Sequence, residues 1–159
     1  MRVFRILALL VSVVGLGFLG LSQAVAAGGA VSVTTTEHGA TDTFVDVVPC
    51  GIDPAALYDI TITYNEVDHS TFGAKSSHFT FTQTGTFVAV PQDPSLPTYT
   101  GHFTMWGGFN GNAQSASGTF TFSLHGTAND GSTITLNSVE HFNVTPGGVE
   151  NSFSFENCH

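Results

Sequence analysis

Basic side chains are nearly missing from this chain of 159 residues, which carries three Lys and Arg against twelve Asp and Glu. Arg2 and Arg5 stand at the very start, so Lys75 is the only Lys or Arg in the rest of the chain. Such an anionic chain repels phosphate backbones and anionic lipid headgroups, and neither nucleic acid nor a membrane surface is expected as a partner. Cysteine is scarce as well. Cys50 and Cys158 are the only two, with no C-x-x-C pair and no third thiol, which argues against a zinc or redox centre. Glycine motifs that cradle phosphate and the Gly-x-Ser-x-Gly nucleophile elbow are also absent. No cofactor, metal or catalytic residue is expected from these patterns.

The compartment is written at the amino end. Arg2 and Arg5 precede an apolar run from Ile6 to Leu21, and Ala24, Ala26 and Ala27 supply small residues for cleavage. Residues 1–27 therefore read as the helix of a signal peptide, and residues 28–159 as one domain that is secreted, extracellular and free of a membrane anchor. Roughly 130 residues suffice for one self-standing core. In an exported chain an even cysteine count favours a bridge, and Cys50 and Cys158 allow one pairing, which pins the carboxyl terminus to the body.

Beyond the signal segment, β-branched and aromatic residues alternate over long stretches bounded by Gly, Asn, Asp and Pro. Strands are expected at 31–37, 42–48, 58–68, 76–90, 98–109, 116–127, 132–145 and 150–156. Asp53 to Leu57 offers at most one helical turn, with Asp53 as its cap and Pro54 at its first position. Period 2 sorts the faces: Phe79, Phe81 and Gln83 oppose His78, Thr80 and Thr82, and Phe120, Phe122 and Leu124 oppose Thr119, Thr121 and Ser123. One side is apolar and the other wet. Asn129-Asp130-Gly131 marks a hairpin turn, and Gly111-Asn112 another. The Pro91 to Pro97 link reads as a surface connection, and Gly107-Gly108 as a bulge or bend. About eight strands joined by short turns suit an antiparallel up-and-down β-barrel, with a β-sandwich as the alternative.

The stretches Glu37-His38-Gly39-Ala40, Val48-Pro49-Cys50, Asp93-Pro94-Ser95-Leu96-Pro97-Thr98-Tyr99-Thr100-Gly101, Trp106-Gly107-Gly108-Phe109-Asn110 and Glu140-His141-Phe142 resemble those of uncharacterised secreted β-rich proteins of actinobacteria and related soil bacteria. That resemblance implies export and no known activity. At fold level the strand rhythm is also similar to calycin-like and allene-oxide-cyclase-like barrels, which implies an interior that binds or transforms small apolar molecules.

Parity places Glu140 on the apolar face with Ile134, Leu136 and Phe142, and Glu66 and Asp68 with Ile60, Ile62 and Tyr64. A carboxyl among aromatics can act as an acid, a base or an orienting acceptor. Glu140, Tyr64, Gln83 and Tyr99 are the candidate interior ligand contacts, and the opposing expectation is a residue at the rim or flipped by a bulge. Trp106, the only tryptophan, falls on the Thr face before two glycines, where a partly exposed ring suits contact with carbohydrate or another extracellular partner. His102, His125 and His141 share that face; His125 and His141 stand too far apart for one metal, and His102 and His125, which can face each other across the fifth and sixth strands, lack a third ligand. Asp42 and Asp46 offer oxygens but lack a calcium-loop spacing.

Three functions compete: interior binding of a small apolar ligand, surface binding through the Trp106 loop, and a small cyclase or isomerase using Glu140. The discriminating observation is whether the interior is filled or keeps a cavity of roughly 300 Å³ or more.

Overall fold

The structure is a computed structural model and describes residues 29–159; the signal segment expected at 1–27 lies outside the described residues. Seven antiparallel strands follow one another in a single sheet, each paired with its sequence neighbours: β1 (Val31–Val47), β2 (Leu57–Phe72), β3 (Ser76–Pro91), β4 (Tyr99–Asn112), β5 (Ala116–Ala128), β6 (Thr133–Val144) and β7 (Glu150–Cys158). The all-β antiparallel meander is the one expected. The strand count is one lower because the segments 31–37 and 42–48 are a single strand. Between Glu37 and Ala40 the register against β2 slips by one residue, Gly39 takes φ +65°, and its N–H donates to Asn65 Oδ1 at 3.0 Å. A glycine in a left-handed conformation inserts a bulge without ending the strand.

Tight turns hold the hairpins. Between β5 and β6, Gly131 (φ +88°) turns the chain, and Asp130 Oδ1 accepts from Ser132 N at 2.9 Å and from Ser132 Oγ at 2.7 Å. Asn112 Oδ1 accepts from the N–H groups of Gln114 and Ser115 between β4 and β5. These are side-chain mimics of backbone turns, the reason Asn and Asp mark such sites in sequence. Asp53 to Ala56 makes one turn, Asp53 accepting from Ala55 N at 2.9 Å.

The concave face carries the core, and its rows across the sheet show how it is packed. One row runs Ile62, Phe87, Gly101, Gly126, Ile134; another Phe81, Gly107, Phe120, Glu140; a third Phe79, Phe109, Gly118, Phe142. Large rings stand opposite glycines. On the inside of a curled sheet neighbouring side chains converge, so not every strand can contribute a large residue to the same row. A Cβ built on Gly126 would come within 2.8 Å of the Phe87 ring, and one built on Gly101 would meet the Gly126 Cα at 2.6 Å and the Phe87 ring at 2.8 Å. Gly107-Gly108, expected to bulge, instead keeps an unbroken register with both β3 and β5. The pair is small because the Phe81 ring lies over Gly107 and the Trp106 ring over Gly108.

β1 and β7 are the two edges of the sheet, and it is not closed by a ladder between them. Near one end a covalent link joins them: Cys50, just past β1, is bonded to Cys158 at the end of β7, with the Cα atoms 5.6 Å apart. The main cluster, including Val48, Tyr58, Ile60, Tyr99, Leu124 and Leu136, is packed towards that end. β7 contributes little to it, because Ser152, Ser154 and Glu156 face inward while Phe153 and Phe155 face out, 61 % and 52 % exposed. The strand is held by its ladder to β6, by His159, which exchanges backbone hydrogen bonds with Thr135, and by the disulfide.

The bridge encloses 108 residues, and on the chain-entropy picture closing a loop of about 100 residues is worth about 4 to 5 kcal/mol. The denatured, unreduced protein should show no thiol to an alkylating label, and reduction should lower the melting temperature and release β7 first, seen as early amide exchange in 150–158. Two labelled cysteines before reduction would refute the bridge. Gly101→Ala should destabilise by about 1 to 3 kcal/mol in chemical denaturation, because the added methyl has only backbone and a buried ring to displace; an unchanged midpoint would show that the row has slack.

Candidate functional site

A cleft of about 220 Å³ opens on the concave face. Its floor is Ile60 and Ile62 of β2, Phe87 and Ala89 of β3, Phe103 and Met105 of β4, and Phe122 and Leu124 of β5. Phe44, Val47, Val48 and Pro49 close it from the β1 side. The volume falls short of the roughly 300 Å³ at which pockets for drug-sized molecules begin. It exceeds the roughly 150 Å³ of an apolar cavity that takes benzene, so the fit is to a molecule of about nine non-hydrogen atoms.

The polar members of the lining are few: Asp42, Thr43, Asp46 and Gln83. Asp42 and Asp46 sit on β1 opposite Ile62 and Tyr58, so the edge strand brings two carboxylates to the margin of an apolar floor. Asp42 Oδ2 accepts from the Tyr64 hydroxyl at 2.9 Å, and Asp46 Oδ1 from Val47 N at 2.7 Å. Burial, together with that bond to Asp42, pushes the Tyr64 hydroxyl well above its ordinary pKa.

Gln83 is the most enclosed polar side chain, 1 % exposed. Its Nε2 donates to Glu66 Oε2 at 3.1 Å, while its Oε1 has no partner. A buried acceptor left unpaired costs about 1 to 3 kcal/mol. Asp68 lies two residues along the same face of β2, its Oδ2 accepting from the Thr35 hydroxyl at 3.3 Å and its Oδ1 buried without a partner. Burial first, then the Asp68 charge, pushes the Glu66 carboxyl up to about 7, with Glu37 adding to the rise and the Gln83 bond opposing it.

Among the residues singled out from sequence, Gln83 lines the cleft. Tyr64 supports Asp42 from the adjoining row. Tyr99 is 1 % exposed in the core, stacks obliquely on Tyr58 at 5.9 Å and accepts from Ile52 N at 3.2 Å. Glu140 does share the concave face, in the row of Phe81, Gly107 and Phe120, but stands among the phenylalanines away from the lining. That end of the face is a run of rings, Phe79, Phe81, Phe109 and Phe142, with successive centroids 5.8 to 6.4 Å apart. In sequence Asp42 and Asp46 offer only oxygens for calcium; their phase with Phe44 is legible there, and their place at a cleft appears only in the folded sheet.

The outer face is separate. Trp106 is 39 % exposed in a row of Val67, Thr82, Thr121, Val139 and Phe155. His102 and His125 face each other with ring centroids 5.5 Å apart, while His141 bonds Thr119 at 2.9 Å. Among the described residues no group of three or more His, Cys, Asp or Glu side chains could hold a metal ion, and no helix is long and apolar enough to cross a membrane. No family model, curated protein or solved structure matches the chain.

The Glu66 carboxyl makes stability depend on pH with a definite sign. Its folded value of about 7 lies above the ordinary 4.5, so the folded state holds a proton that the unfolded state releases. This contribution is complete below the ordinary value and is lost as pH rises from there through the folded one. Denaturation midpoints should fall across that window, and Glu66→Gln should flatten the fall; an identical slope in the variant would place the titration elsewhere.

Proposed function

We propose that this is a secreted extracellular protein that binds a small apolar molecule in the concave cleft. The observation that carries this function is the cleft itself: an open recess in the concave face, walled by Ile, Phe, Met and Leu side chains from five consecutive strands. Sites for small molecules combine such walls with a few placed polar groups, here Asp42, Asp46 and Gln83. The lining holds no histidine, cysteine, serine or lysine, which favours binding over nucleophilic chemistry. The apolar run at Ile6 to Leu21 and the disulfide both support export.

A second function has its own observation. Trp106, Val67, Phe153 and Phe155 are exposed on the outer face, 39 to 61 % each, and lie in two adjacent rows. Aromatic rings held flat by a sheet suit a carbohydrate chain or an extracellular protein.

Methyl NMR with toluene as probe separates the two. Saturable shifts at Ile60, Ile62, Met105 and Leu124, with Leu136 unmoved, are the expected result. No saturable shift at any of these methyls would refute the cleft. Quenching of Trp106 fluorescence and a saturable calorimetric heat with soluble polysaccharide would support the outer face, and Trp106→Ala should then abolish the heat at a cost to stability well below the ~3 to 5 kcal/mol of a buried ring.

A further inference from the structure

Three histidines of the outer face share one arrangement, and one of them has something more. His69, His125 and His141 each hold Nδ1 against a threonine hydroxyl of the next strand, at 2.9, 3.0 and 2.9 Å. Where that hydroxyl accepts from Nδ1–H, Nε2 keeps its lone pair for a further partner. The cross-strand neighbours of His69 are Thr34 and Thr80, and those of His141 are Thr119 and Phe153. His125 differs. Opposite it on β4 stands a second imidazole, His102, with the two ring centroids 5.5 Å apart and both residues exposed.

That spacing suits a shared ion. Two imidazoles bound through nitrogen to one tetrahedral ion, at metal–nitrogen distances of about 2.0 to 2.1 Å, have their centroids about 5 Å apart. Exposed rings reach that separation by a small rotation, while the backbone under them is fixed, because β4 and β5 are laddered on both sides. The surroundings also admit a cation. Thr86 faces His102, Thr100 and Thr104 flank it along β4, and Ser123 and Thr127 flank His125 along β5, all of them uncharged. Lys75 stands in the turn before β3, at the other end of that strand from Thr86. Imidazole nitrogen selects zinc, copper or nickel over calcium and magnesium, which take oxygen.

We propose that His102 and His125 chelate one divalent transition-metal ion on the outer face, each through one ring nitrogen, Nε2 in the case of His125. Thr135 is a positioning residue: its hydroxyl on Nδ1 fixes the His125 ring and its tautomer, as hydrogen-bond partners of ligating histidines do. Water fills the remaining positions, since no group of three or more His, Cys, Asp or Glu side chains gathers among the described residues. Binding to the second imidazole is intramolecular once the first holds the ion, which lifts the pair above any single histidine of the same face. The site lies on the opposite side of the sheet from the cleft and is independent of what the cleft binds.

Calorimetry of the chelator-treated, disulfide-intact mature protein with Zn²⁺, Cu²⁺ and Ca²⁺, slightly above neutral pH in a non-coordinating buffer, tests this. One Zn²⁺ or one Cu²⁺ should bind per chain, Cu²⁺ the more tightly, and Ca²⁺ should give no saturable heat at the pair. His102→Ala and His125→Ala should each weaken Zn²⁺ by about tenfold or more, while His141→Ala, which removes a histidine with the same threonine bond but no partner ring, should change nothing. Thr135→Val should weaken binding by about tenfold and Thr135→Ser should restore it. In NMR of the wild type, Zn²⁺ should shift the imidazole signals of His102 and His125 together and leave those of His69 and His141 in place, a readout that needs no variant to fold. Affinity unchanged by either alanine at the pair, an equal loss in His141→Ala, or no saturable heat with Zn²⁺ and Cu²⁺ would overturn the proposal.

Discussion

Crowding on the inside of a curled sheet is the constraint on which the rest of this molecule depends. Each inward row receives a side chain from every strand it crosses, and the curl brings their ends together. Phe87 fits because Gly101 and Gly126 stand beside it, and Phe81 because Gly107 does. The cleft lies over the inner surface of these rows, floored by Ile62, Phe87, Phe103 and Leu124 and flanked by the edge strand that supplies Asp42, Phe44 and Asp46.

The edges follow from the same geometry. A closed sheet would satisfy β1 and β7 by pairing them; here they remain edges, and the covalent bond between Cys50 and Cys158 holds one end together. Polar inward residues on β7 end the core at β6, which leaves Phe153 and Phe155 on the outer surface. The acidic composition has a local consequence as well as a global one. With Lys75 the only Lys or Arg beyond Arg5, carboxyls that the fold gathers on the inner face have no Lys or Arg to pair with them, and burial beside the Asp68 charge pushes the Glu66 carboxyl up to about 7.

Much of the architecture was legible because period 2 is a strong signal where one face is buried. Phe79, Phe81, Phe120, Leu124 and Leu136 all fall on the face that their parity assigned, and Trp106 falls on the other. The turn at Asp130-Gly131 and the bridge were readable from local chemistry. Three things were not. Gly39 looked like a break between strands, since a bulge and a turn use the same left-handed glycine. The Gly107-Gly108 pair looked like a bend, since sequence shows the missing side chain but not the ring that occupies its place. The cleft needed three-dimensional packing, because whether Ile62, Met105 and Leu124 touch or leave room is a matter of curl rather than of pattern. The same limit hid Gln83: parity put it inward, while the unpaired oxygen appears only once Glu66 is seen to take its amide.

A recess among apolar walls that binds small molecules is the central claim, and it is tested most directly by xenon in crystals. Xenon enters dry apolar cavities and is located by its anomalous scattering without any chemical bias towards polar groups. A site between Met105, Phe122 and Leu124 is the predicted result. Crystals that take up no xenon there, or only among the exposed rings of Trp106, Phe153 and Phe155, would contradict it.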